Sequence, residues 1–128
     1  MGGSSRGSSG RRSRIDQILE DILDCAEYIL AVTDEKSLRS YGEDRMLRQS
    51  VERNFEIIGE AIRRLEDRDP ARATRISNHP QIISFRNVLI HGYDLIDHDA
   101  VWRVIRQDLP VLAREVKALI KESEEGNR

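Results

Sequence analysis

Apolar residues recur along most of this chain with the three- and four-residue spacing of helices, not the alternation of strands. Ile15, Ile18, Leu19, Ile22, Cys25, Ala26, Ile29 and Leu30 fall on one stripe, which predicts a first amphipathic helix beginning at Ile15. Cys25 lies within that stripe and reads as a buried thiol, because free cysteine packs as a small hydrophobe. A polar link over 33–44 follows, with Gly42 interrupting its regularity. Leu47, Val51, Phe55, Ile58, Ile62 and Leu65 mark a second helix over about 44–65. Ile57 and Ala61 widen its apolar face, as contact with more than one neighbour requires. Gly59 sits mid-helix, where glycine costs about 1 kcal/mol relative to alanine. The expected gain is close approach of another helix.

Asp69-Pro70 and His79-Pro80 punctuate the next stretch, and the segment between them is too short to classify. A third helix should start near Pro80, a favoured first-turn position, and carry Ile82, Ile83, Phe85, Val88 and Leu89. Gly92 is placed to stop it. Asp97 or Asp99 can cap a fourth helix containing Val101, Trp102, Val104, Ile105 and Leu109. Pro110 then either kinks that helix or starts a fifth one, through Leu112, Val116, Leu119 and Ile120. No segment alternates long enough to be a strand. The pattern predicts an all-α, four- to five-helix up-and-down bundle.

Composition agrees with a single helical domain: 38% of residues are hydrophobic and 34% charged, with few aromatics. Residues 1–13 are rich in Gly, Ser and Arg and have no apolar residue after Met1, so they should be disordered, either as a leftover linker or as a native basic tail. The folded domain should span 14–122, and 123–128 should be a frayed charged tail. No run is long and apolar enough for a membrane span or a signal peptide. The single cysteine excludes an internal disulfide and makes a cytoplasmic setting the default. The net charge of −2 hides an asymmetry. Four of the 21 basic residues are Arg6, Arg11, Arg12 and Arg14, which leaves 17 basic against 23 acidic residues in the body. A body that acidic can bind nucleic acid only by concentrating positive charge locally.

One segment combines a strong cation, an imidazole and a phenol: Arg86-Asn87-Val88-Leu89-Ile90-His91-Gly92-Tyr93. Arg86 and His91 are five positions apart, a rotation of about 140° on a helix. They can therefore converge only on something lying across the helix end, or on a second copy of the segment. The set suits RNA cleavage through the 2′-hydroxyl, with the imidazole moving a proton and the guanidinium holding the phosphate. Two copies across a dimer axis would supply one histidine as base and one as acid, with no metal or other cofactor. The plainer alternatives are a histidine capping helix carbonyls, a solvated arginine and a packed tyrosine ring. On the second helix, Glu56 and Glu60 either form a solvated charge face with Arg53 and Arg64 or support Arg86. His91, Asp94, Asp97, His98 and Asp99 lack a recognised metal-ligand spacing. Trp102 reads as core, with base stacking as the lesser alternative.

Further residues extend the pattern. Arg53-Asn54-Phe55-Glu56-Ile57-Ile58-Gly59-Glu60-Ala61 and Phe85 to Tyr93 are followed in order by Ile96-Asp97, Val101-Trp102 and Asp108-Leu109-Pro110. Over about Ile15 to Leu119 the chain resembles the HepT-like family of minimal HEPN domains, the toxin half of a toxin–antitoxin pair. One departure is His79-Pro80-Gln81-Ile82-Ile83-Ser84-Phe85, where family members often have a Pro-x-Ile-Pro-Trp-like entry to the helix. The resemblance implies a metal-independent endoribonuclease working as a homodimer, with the R-x4-H-x-Y motifs of both chains in one cleft. It implies Arg86 and His91 as the catalytic pair, with Asn87 beside them to orient the phosphate or His91; the spacing on the second helix, not the resemblance, makes Glu60 a further supporting candidate. It implies Tyr93 as the tyrosine that a cognate minimal nucleotidyltransferase antitoxin modifies with AMP, in a dimer or a higher assembly. The competing readings are a non-catalytic helical module that binds a nucleotidyltransferase partner or a nucleotide, and a structural dimerisation bundle.

Overall fold

The structure, a computed structural model, describes residues 13–91 and 96–126. It is all-α, a HEPN-like bundle with four long helical rods and two short helices, and it has no strand among the described residues. Helix α1 (Arg14–Val32) starts at a capping box. The Ser13 hydroxyl accepts from the Asp16 N–H at 3.0 Å, and the Asp16 carboxylate accepts from the Ser13 N–H. Its predicted stripe is the face it buries: Ile18, Leu19, Ile22, Ala26 and Ile29. Cys25 falls at the edge of that face and is only half-buried, less than its pattern suggested.

The link over 33–44 is more ordered than a polar connection. It holds a short helix, α2 (Leu38–Glu43), closed by a capping box between Ser37 and Ser40. Its purpose in packing is Tyr41, which is fully buried against Trp102 and His98. Helix α3 (Arg45–Arg68) is capped by Asp44 and buries Val51, Phe55, Ile58, Gly59, Ala61, Ile62 and Leu65. It is the central rod, in contact with α1 on one side and the third long helix on another. Each fully buried Ile or Leu in this core contributes about 1.5–3 kcal/mol.

After α3 comes α4 (Pro70–Ala73), with Asp69 as cap and Pro70 in its first turn. The turn beyond it is fastened to the last helix. Ser77 donates to Glu115 through both its N–H and its hydroxyl, and Arg75 pairs with Glu122. Asn78 adopts a positive φ of 58° and redirects the chain into α5 (His79–His91). At the start of α5, His79 bonds the Glu66 carboxylate at 3.0 Å.

The last rod settles the question posed by Pro110. Helix α6 (His98–Arg103), a π-turn over Val104–Asp108 and helix α7 (Leu109–Gly126) run on as one rod, so Pro110 starts no separate fifth helix. Proline lacks an N–H and crowds the carbonyl four residues earlier. Widening the preceding turn accommodates both defects while keeping Ile105 and Leu109 in the core. Asp97, rather than Asp99, is the cap: its carboxylate accepts from the N–H groups of Asp99 and Ala100. Helix α7 also continues through the charged end to Gly126, beyond the expected limit at 122. Ser123 bonds Asp16 there, which ties the end of the chain's last helix to the start of its first. Residues 1–12 and Gly92, the expected stop of α5, lie outside the described residues.

Candidate active site

Helix α5 leans mainly on α3, and the contact is made close by Gly59. A Cβ at Gly59 would lie 2.4 Å from Cβ of Arg86 and about as near as contact allows, 3.0 Å and 3.1 Å, to its Cγ and Cδ. The missing side chain is thus a notch that takes the stem of Arg86. This is the close approach that glycine in mid-helix predicted. It fixes where the guanidinium emerges.

Arg86 is mostly buried, with 24% of its side chain exposed. Its Nη2 lies 3.2 Å from the Glu60 carboxylate, one residue beyond the notch, and its Nη1 donates to the Asn87 side-chain oxygen at 3.0 Å. Its Nε is buried without an acceptor among the described residues. An unmet donor of that kind costs about 1–3 kcal/mol, so the position is not optimised for stability alone. The Glu60 carboxylate is shared: Arg63 donates to it through Nη2 at 2.9 Å. The Arg63 hydrogen bond, and next to it the fields of Arg63, Arg86 and Arg64, hold the Glu60 carboxyl below the usual carboxylate range despite some burial. It is therefore a fixed anion at neutral pH. Glu56 does not touch Arg86; it pairs with Arg53 at 3.3 Å.

His91 closes α5 and is exposed. It stands five residues from Arg86, about 7.5 Å along the axis at 1.5 Å per residue. The imidazole is open to solvent while the guanidinium beneath is gripped. Between them Val88 is 50% exposed. Tyr93 lies outside the described residues, as does Asp94.

The other candidates have structural roles. Trp102 packs on Tyr41 with ring centroids 5.4 Å apart, and the Arg106 guanidinium covers its ring at 4.4 Å. Arg106 also bonds the carbonyls of Thr33 and Lys36, so the face that base stacking would need is occupied. Sequence reasoning missed Arg63, the second claimant on Glu60. It also missed the depression beside Arg86, about 270 Å³, walled by α3, by Arg86 and Ile90 of α5 and by Asp21 of α1. Arg53, Glu56, Ile57, Glu60, Ala61 and Arg64 share one helical stripe there, a spacing visible in the sequence once its facing side is known.

Comparison with known proteins agrees with this architecture. The family described as ribonuclease HepT-like matches over residues 22–119. A protein of Methanocaldococcus jannaschii provisionally named as an RNase is 30% identical over 105 residues, covering 80% of this chain and 94% of the relative. A protein of Thermococcus cleftensis named as a probable ribonuclease HepT is 32% identical over 116 residues, covering 87% of this chain and 99% of the relative. No solved structure matches the chain. Among the described residues no helix is long and apolar enough to cross a membrane.

Proposed function

The chain belongs to the ribonuclease HepT-like family, and on that premise we propose that it is a metal-independent endoribonuclease whose cleft is shared by two copies of the chain. The observation that carries this reading is the seating of Arg86 in the Gly59 notch, gripped by Glu60, with His91 exposed at the end of the same helix. A held cation and an exposed imidazole are the two groups that phosphodiester transfer by the 2′-hydroxyl uses, and a second copy lets them converge. His91 of one copy takes the 2′-hydroxyl proton while the oxygen attacks the adjacent phosphorus. The bond from phosphorus to the 5′-oxygen breaks, and His91 of the second copy, protonated, gives its proton to the leaving oxygen. The products are a 2′,3′-cyclic phosphate end and a 5′-hydroxyl end. Arg86 stabilises the charge that builds on the phosphoryl oxygens, and Asn87 keeps its guanidinium in plane.

Pairing of two copies through α5 is supported by that helix itself. Its exposed stripe, Gln81, Ser84, Asn87 and His91, is polar but carries Val88, and Ile82, Ile83, Phe85 and Ile90 beside it are only part-buried, so apolar surface remains for a second copy to cover. Tyr93, two residues beyond His91, is the position at which a nucleotidyltransferase antitoxin would attach AMP. An anionic nucleotide there would compete with RNA for Arg86.

The test is cleavage of RNA by purified, unmodified protein in EDTA. Wild type should cut, and His91→Ala should lose about 10²–10⁴-fold in rate while melting at the same temperature. Absence of cutting by wild type, or equal cutting by His91→Ala, overturns the reading. Co-expression with a nucleotidyltransferase partner should add AMP to wild type and not to Tyr93→Phe, read by intact mass.

A further inference from the structure

We propose that Arg64 forms a second phosphate subsite, which takes a backbone phosphate of the RNA strand next to the one held at Arg86. The proposal rests on the ribonuclease reading and extends it to how substrate is gripped. Arg64 lines the depression into which Arg86 projects, at the end of the α3 stripe farther from His91. From Gly59, where Arg86 is seated, Arg64 lies five residues along α3, about 7.5 Å, while His91 lies five residues from Arg86 along α5. His79 meets Glu66 and Arg86 meets Glu60, so α3 and α5 run antiparallel, and His91, Arg86 and Arg64 follow in that order along the pair. Ile57, Ala61 and Ile90 give the depression an apolar floor on which a ribose or base edge can rest.

The charges around the depression decide which kind of ligand fits. Its carboxylates are engaged: Glu56 by Arg53, Glu60 by Arg63 and Arg86, and Asp21 by Gln17. Arg64 alone among its arginines has no ion pair or hydrogen bond among the described residues. Arg64 is thus the guanidinium of the depression with its donors unengaged, and a planar guanidinium is matched by phosphate oxygens.

Binding of a 2′-O-methyl oligoribonucleotide, which cannot be cleaved through the 2′-oxygen, should be measured across 50–200 mM salt for wild type, Arg64→Gln, Arg64→Lys and the distant control Arg39→Gln. Arg64→Gln should weaken binding and reduce the slope of log affinity against log salt by about one, with Arg64→Lys retaining the slope. Its kcat/KM should fall for a long RNA and stay at the wild-type value for a dinucleoside monophosphate, which has no second phosphate. A wild-type slope and affinity in Arg64→Gln, or an equal loss on the dinucleoside, overturns the subsite while leaving the ribonuclease reading intact. A wild-type protein that neither binds nor cuts RNA overturns both.

Discussion

Cβ of Arg86 occupies the space that a side chain at Gly59 would need: the two would stand 2.4 Å apart. A single hydrogen atom on α3 is thus what lets α5 deliver a guanidinium to Glu60. The atom that would collide is the first carbon of the arginine side chain, which cannot swing aside without moving the helix.

Gly59→Ala therefore sets two effects against each other. Alanine gains about 1 kcal/mol in helix propensity. Forcing the helices apart costs about 1–3 kcal/mol, as overpacking usually does. The expected result is a lower melting temperature together with loss of RNA cleavage, because Arg86 is displaced from Glu60. A variant that melts higher than wild type and cleaves normally would show that the contact is not limiting.

Glu60→Gln should leave the fold intact and loosen Arg86. Because the Glu60 carboxyl titrates below its ordinary value of 4.5, its charge stabilises the folded protein above that pH, and the contribution is lost as pH falls through the lowered value. Urea denaturation at pH 7 should show wild type as the more stable protein, and the gap should close on acidification below pH 4. Cleavage by the variant should drop several-fold at pH 7. A gap that widens in acid contradicts this account.

Val88→Glu tests the pairing of two copies. The side chain is half exposed, so the isolated fold should change in stability by no more than about 0.5 kcal/mol. A charge in an apolar seam should nonetheless leave the protein monomeric by light scattering and unable to cleave RNA. A dimer of wild-type affinity would move the interface elsewhere.

Tyr41→Phe addresses stability away from the site. The Tyr41 hydroxyl is buried without a partner among the described residues, and burial drives its phenol upward in pKa. Removing it keeps the ring against Trp102 and deletes an unmet polar group. The variant should be as stable as wild type or up to about 1 kcal/mol more stable. A melting temperature several degrees lower would mean that the hydroxyl has a partner in solution.

The elements that could be read from sequence are those whose signals are local. The stripe from Ile18 to Ile29 and that from Val51 to Leu65 appear as buried faces because a helix repeats every 3.6 residues. Helix α2 was hidden because its only large buried residue is Tyr41; one residue makes no period, and the Ser37–Ser40 box was its sole marker. Pro110 announced a disturbance without saying which kind, since a kink, a new helix and a π-turn all satisfy a missing N–H. The segment from Arg86 to His91 stood out by residue type and spacing. Its relation to Glu60 was legible only as one of two readings, because Arg64 four residues away from Glu60 is as good a partner by spacing as a distant arginine.

From sequence alone follow an all-α chain, the apolar faces of its first two long helices, a family pattern and the place of Arg86 and His91 on one helix. The tertiary structure alone decided that Glu60 bonds Arg86 and Arg63, while Arg64 makes no ion pair among the described residues. It also decided that Gly59 is the notch for Arg86 and not merely a weak point in α3. The physical reason is range. Helical periodicity and capping are set by residues within four positions of each other, whereas the partner of a guanidinium depends on which helix face arrives beside it.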